Sequence, residues 1–234
     1  MDNFNFGNQQ PVSSSSTMSI SQVMRQVYVK MTLALVVSAI SAYICLAVEP
    51  IRNLVFSSQW VFIGLAILEL LLVISVSRSL VKSSNPAKAT FMFYLYSIIN
   101  GVTLSAIMLI YTASSVIFTF AITAGVFAAM SIYGYFTNND LSRMGSYLIM
   151  ALFGLIICIV VNVFAQSSTM EWIISFAGVA IFIGLTAWDT QKIKTMLITN
   201  PERSEHIATF GALSLYLDFI NLFLYLLRFF GRDN

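Results

Sequence analysis

Apolar residues in this chain come in long runs, neither alternating with polar ones nor forming a stripe along polar helices. Met31 to Val48 is the first charge-free run, preceded by Arg25 and Lys30. A second extends from about Trp60 to Ser77 and is broken only by Glu69. Ala89 to Asn139 carries no charge over 51 residues, enough for two helices, with a turn expected near Thr112 to Ser115. Met144 to Met170, Trp172 to about Thr195, and Ile207 to about Arg228 complete the pattern. At about 20 residues per membrane crossing, it predicts seven transmembrane helices in an all-α, polytopic bundle. Irregular backbone facing lipid would leave its hydrogen-bonding groups unpaired, so such runs must be helical. A membrane β-barrel needs alternating segments of about ten residues, and stretches such as IGLAILELLLVIS do not alternate.

Composition points to the same solvent. Of 234 residues, 58% are hydrophobic and 9% are charged, against about 25% charged in soluble domains. A soluble fold would have to expose apolar surface that it could not hide from water, whereas a bilayer suits it. Residues 1–22 are rich in Asn, Gln and Ser and lack the apolar core of a signal peptide; they are expected to be a disordered polar tail ahead of a 23–234 transmembrane domain. The net charge of +2 is scattered along the chain, which excludes a nucleic-acid surface. Cys45 and Cys158 lie in apolar runs without metal-site spacing, and His206 is the single histidine.

Lys and Arg concentrate on the cytoplasmic side of membrane proteins. With the N-terminus inside, the inner segments hold nine: Arg25, Lys30, Arg78, Lys82, Lys88, Arg143, Lys192, Lys194 and Arg203. The outer ones hold three, Arg52, Arg228 and Arg232. Seven spans then leave the C-terminus outside, in the inner (plasma) membrane of the cell; a re-entrant last segment would return it to the cytoplasm. Ala124, Gly125, Ala128 and Ala129, and later Gly178 and Gly184, are small residues that let helices approach closely.

Three acids fall within or near the membrane: Glu69, Asp189 and Asp218. A carboxylate at mid-span costs roughly 2.5–3.5 kcal/mol on insertion scales, so such groups face a bundle interior or water. Counted from the loop between the last two helices, Asp189 lies roughly 10 Å and Asp218 roughly 15 Å into the membrane. The two can meet. Two carboxylates at one site cannot both ionise cheaply, so they hold one proton between them and can act as a proton switch on helix packing. Asp189 also has a plainer reading, an ion pair with Lys192 one turn later. Asp218 could make a structural hydrogen bond to a neighbouring helix. Glu69 is a candidate for the ion path, and Arg78 is either an inner-side anchor or a partner of the aspartates.

These residues carry a family resemblance. AWDTQKI around Asp189 and LYLDFINLFLYLLRFFG around Asp218 resemble the Bax inhibitor-1 family (transmembrane Bax inhibitor motif proteins). ITAGVFAAMSIYGYFTNNDLSRMGSYL and INGVTLSAI look like its bacterial branch, and the likeness spans about residues 20–232. The chain departs from the family after Gly101, where a Gly-Pro pair is usual and Val102, Thr103, Leu104 and Ser105 stand instead. The resemblance implies a seven-helix bundle with the C-terminal helix central. It implies a calcium leak regulated by pH through paired aspartates, here Asp189 and Asp218, with Arg78 as the arginine beside them. Calcium as permeant ion comes from the resemblance alone; oxygen ligands suit it, and Asp189 and Asp218 are the candidate contacts. No other cofactor is implied.

The expected function is therefore a pH-sensitive calcium leak channel, not an enzyme, whose partners are the bilayer, calcium ions and protons. A proton-coupled cation exchanger could use the same pair as a relay. An intramembrane aspartyl protease also needs two aspartates sharing a proton. Such proteases resemble each other in Tyr-Asp on one helix and Gly-x-Gly-Asp on the next; here Trp188 precedes Asp189, and Leu215, Tyr216 and Leu217 precede Asp218.

Overall fold

The computed structural model describes residues 19–81 and 85–232, and these fold into helices joined by short turns. Residues 1–18 of the expected tail, and Lys82, lie outside the described residues. Nine α-helices are found among the described residues: α1 (Ile20–Ala47), α2 (Glu49–Phe56), α3 (Gln59–Val81), α4 (Pro86–Leu104), α5 (Ile107–Ile110), α6 (Ala113–Phe136), α7 (Ser142–Ala165), α8 (Ser168–Thr199) and α9 (Ser204–Phe230). Six segments are long and apolar enough to cross a membrane: α1, α4 with α5, α6, α7, α8, and α9 with the turn before it. The intervening α3, of 23 residues, carries Glu69 and Arg78.

Local chemistry sets the boundaries. Ser19 starts α1 with a capping box, its hydroxyl accepting from Gln22 N while the Gln22 side chain accepts from Ser19 N. That start corrects the expected one, since the helix runs through Arg25 and Lys30 and takes in residues 20–22 of the predicted tail. Charged residues near a helix end can extend their heads to the interface, so they do not mark where the helix begins. Asn85 caps α4, with Pro86 in the first turn, where its missing N–H is no loss. α4 ends at Leu104 and the chain turns at Ser105 and Ala106, at the end of the stretch that departs from the family pattern. Thr112 caps α6, within the stretch where a turn was expected. Gln166 takes the left-handed conformation that closes α7, and Ser167 caps α8. Before α7, hydrogen bonds from Ser142 hold the exposed Asp140 carboxyl below the usual carboxylate range.

α9 is the middle of the bundle. It packs against α1, α3, α4, α6 and α8, and 72% of its apolar window is buried. α7 lies at the periphery against α8, with 6% of its window buried. Phe164, Trp60 and Ile117 are among the many large apolar side chains left exposed. Such a surface suits hydrocarbon and would drive a soluble protein to aggregate. Of the small residues noted in the sequence, Gly178 and Gly184 do sit under close neighbours, Tyr225 and Leu148, whereas Gly125 faces open space.

Cross-links fix which helix ends lie together. Lys30 Nζ of α1 donates to Thr209 Oγ1 of α9 at 2.8 Å and to Thr90 Oγ1 of α4 at 3.3 Å. Near the C-terminal end of α8, Gln191 accepts from Leu141 N and donates to Asn139 O, and Lys194 donates to Tyr135 O. One end of the bundle thus gathers the starts of α1, α4, α7 and α9 with the ends of α6 and α8. At the opposite end, Thr112 N donates to Arg232 O, and Arg228 pairs with Glu171 at 3.8 Å. α9 is one unbroken helix from the first end to the second.

Candidate functional site

Asp189 lies on α8 and Asp218 on α9, two helices packed extensively against each other. The Asp189 carboxyl is buried between α8 and its neighbours with 9% of the residue exposed, and Asp218 is deeper, at 5%. Asp218 lies within reach of the charge of Asp189, and Lys192 acts on both. Asp218 Oδ2 is buried without a hydrogen-bond partner among the described residues. A carboxylate oxygen left bare in hydrocarbon is costly. Asp189 is also within 3.9 Å of Lys192 Nζ, one turn on. The ion pair with Lys192, the plainer reading of this residue, is therefore present. The ammonium of Lys192 further sits over the Trp188 ring at 4.5 Å and the Phe210 ring at 5.6 Å, which pins it at the mouth of the pair.

The helix backbone around the pair is brought close by glycines. Gly134 of α6 lies against the backbone of Ala187, where a Cβ would strike the Ala187 carbonyl, and Gly211 of α9 lies under Ile193 of α8. These two contacts draw α6 and α9 in on either side of Asp189.

The other two candidate residues lie elsewhere. Glu69, on α3, is half-buried and accepts from Thr103 Oγ1 at 2.7 Å and from Asn100 Nδ2 at 3.3 Å. Asn100 Oδ1 accepts from the hydroxyl of Tyr216 at 2.8 Å, which is 2.7 Å from Ser38 Oγ, and Ser38 donates on to Ser97 O. This polar string crosses α3, α4, α9 and α1 through the bundle interior. Tyr216 and Asp218 are two apart on α9 and so face different ways: one side of α9 carries the string from Glu69, the other the acid pair with α8. Arg78 is exposed near the C-terminal end of α3, and none of the described ion pairs joins it to either aspartate.

Sequence reasoning passed over Asn100, Thr103, Tyr216 and Ser38, and also Lys30, whose ammonium is half-buried among Thr90, Thr209 and the charge of Glu205. Polar residues inside apolar runs were the available signal. Among the described residues no three His, Cys, Asp or Glu side chains gather as a metal-binding group.

Together these features define a polytopic helical membrane protein with a buried acid pair against its central helix. A family model described as "Inhibitor of apoptosis-promoting Bax1" matches residues 20–234. The chain belongs to the Bax inhibitor-1 family. It is 48% identical over 211 residues to an uncharacterized protein of Borreliella burgdorferi, a match covering 88% of this chain and 90% of that one. It is 45% identical over 213 residues to the inner membrane protein YbhL of Escherichia coli, covering 89% and 91%. An uncharacterized membrane protein of Streptococcus pyogenes is 36% identical over 230 residues, covering 97% of this chain and all of its own length.

Proposed function

We propose that this protein is a pH-sensitive calcium leak channel of the cytoplasmic membrane, switched by a proton that Asp189 and Asp218 hold in common. The observation that carries the proposal is the buried contact region of α8 and α9. There Asp218 lies within reach of the charge of Asp189, and Asp218 Oδ2 has no hydrogen-bond partner among the described residues. With one proton the pair can bridge the two helices; with none, like charges in a medium of low dielectric push them apart. The charge state of the pair thereby biases how α8 packs on the central helix, and that packing sets the passage of ions. The Glu69 string on the far side of α9 supplies oxygen ligands of the kind calcium prefers and is the companion segment of the path. Arg78, free of either aspartate in this arrangement, can swing toward the pair when α8 moves.

In this reading α3 is the seventh span, its 23 residues reaching about 34 Å at 1.5 Å per residue. The end of the bundle where α1 begins faces the cytoplasm, because Arg25, Lys30, Lys88, Arg143, Lys192, Lys194 and Arg203 lie toward it. The C-terminus then lies outside. Catalysis plays no part: the glycine-flanked aspartate that admits a peptide backbone in intramembrane proteases is replaced by Leu215, Tyr216 and Leu217. Exchange of protons for cations is the competing use of the same pair.

Calcium flux from proteoliposomes, measured across pH, tests the proposal. Wild-type flux should change with pH and run down the calcium gradient alone, and either Asp189→Asn or Asp218→Asn should flatten the pH response. An unaltered response in both variants contradicts the switch, and a strict need for an opposing proton gradient makes the protein an exchanger.

A further inference from the structure

A cavity of about 730 Å³ separates α1 from α6 at the end of the bundle where α1 begins. Arg25, Tyr28 and Thr32 form one wall and Phe127, Ser131 and Tyr135 the other. Its walls are apolar, and it opens on the flank of the bundle beside the exposed side chains of Val29, Leu33, Ile132 and Phe136. In a bilayer that flank faces acyl chains. The volume falls in the range of small-molecule pockets, about 300–1,000 Å³.

One charged group makes this more than a gap between helices. Arg25 is exposed at the mouth and is the one charged residue among those lining the cavity; it lies near the N-terminal end of α1, where the helix dipole also favours a negative charge.

We propose that this cavity is a binding site for an anionic glycerophospholipid. Its phosphate lies on the Arg25 guanidinium at the interface, and one acyl chain fills the apolar cleft. An arginine suits phosphate because its planar fork donates two hydrogen bonds at once. The cleft reaches Phe127, which packs edge-on to Phe219 beside Asp218, so the lipid abuts the helix layer that covers the acid pair.

Native mass spectrometry of the detergent-purified full chain tests the site, with phosphatidylglycerol and phosphatidylcholine of identical acyl chains as probes. Wild type should retain phosphatidylglycerol about fivefold better, which corresponds to about 1 kcal/mol for one basic residue near a membrane surface. Arg25→Gln should bring retention of phosphatidylglycerol down to that of phosphatidylcholine, while Arg143→Gln, at the same end of the bundle but outside the cavity, keeps the preference. Ala128→Trp, which fills the cleft, should lower retention of both lipids. Equal retention by wild type, an unchanged preference in Arg25→Gln, or undiminished retention in Ala128→Trp each overturns the proposal.

Discussion

α7 and α9 are both long apolar helices, and they sit at opposite extremes of the molecule. α7 is the more apolar and lies outside, with 6% of its window buried; α9 lies at the centre with 72% buried, and carries Asp218, Tyr216 and Asn221. A soluble protein would reverse this order and hide its most apolar helix. In hydrocarbon there is no gain from burying leucine against leucine, so association falls to packing of small residues and to hydrogen bonds. Polarity within a span therefore marks the inside, and the helix with the costliest residue to insert is the one that α1, α3, α4, α6 and α8 surround.

The largest test of this contrast moves an acid from the centre to the rim. Phe153, near the middle of α7, is exposed to lipid. Phe153→Asp should lose about 3 kcal/mol of insertion free energy, seen as reduced membrane integration, although the central helix already tolerates Asp218. Equal integration of the variant would mean that α7 is covered by something else. Glycines give a smaller effect. Gly211 of α9 has Ile193 atoms at 2.9–3.1 Å from the position of an added Cβ, whereas Gly154 of α7 has nothing within 4 Å. Gly211→Val should cost roughly 1–3 kcal/mol through overpacking, and Gly154→Val should stay within about 0.5 kcal/mol, both read from unfolding in detergent. Smaller again is the loss of one hydroxyl. Tyr216→Phe leaves Asn100 Oδ1 without its donor and should cost about 1–2 kcal/mol, while Tyr147→Phe on the lipid face of α7 should be silent.

Six of the spans were legible in the sequence because charge is expensive in lipid, so the gaps between charges outline the helices. The turn at Thr112 followed from the same arithmetic. What escaped was anything set by cross-chain partners. Lys30 looked like a flanking charge, and only its bonds to Thr90 and Thr209 show that it belongs inside α1. The short α2 has too few apolar residues to stand out from a loop. The string from Glu69 through Asn100 and Tyr216 to Ser38 joins four helices, and no spacing along one chain encodes it. Arg78 was placed beside the aspartates by resemblance, yet it is exposed near the end of α3. Lys192 and Asp218 looked like rival partners for Asp189, and the ion pair with Lys192 is present.

Proton sharing between α8 and α9 is the claim on which the mechanism rests, and infrared difference spectroscopy reads it without reference to the permeant ion. Wild-type protein in lipid should show a carboxylic-acid C=O band that changes with pH, and Asp189→Asn and Asp218→Asn should each remove or shift that same band. If the band is untouched by both substitutions, or each removes a separate band of its own, the two acids titrate independently and the shared-proton account is wrong.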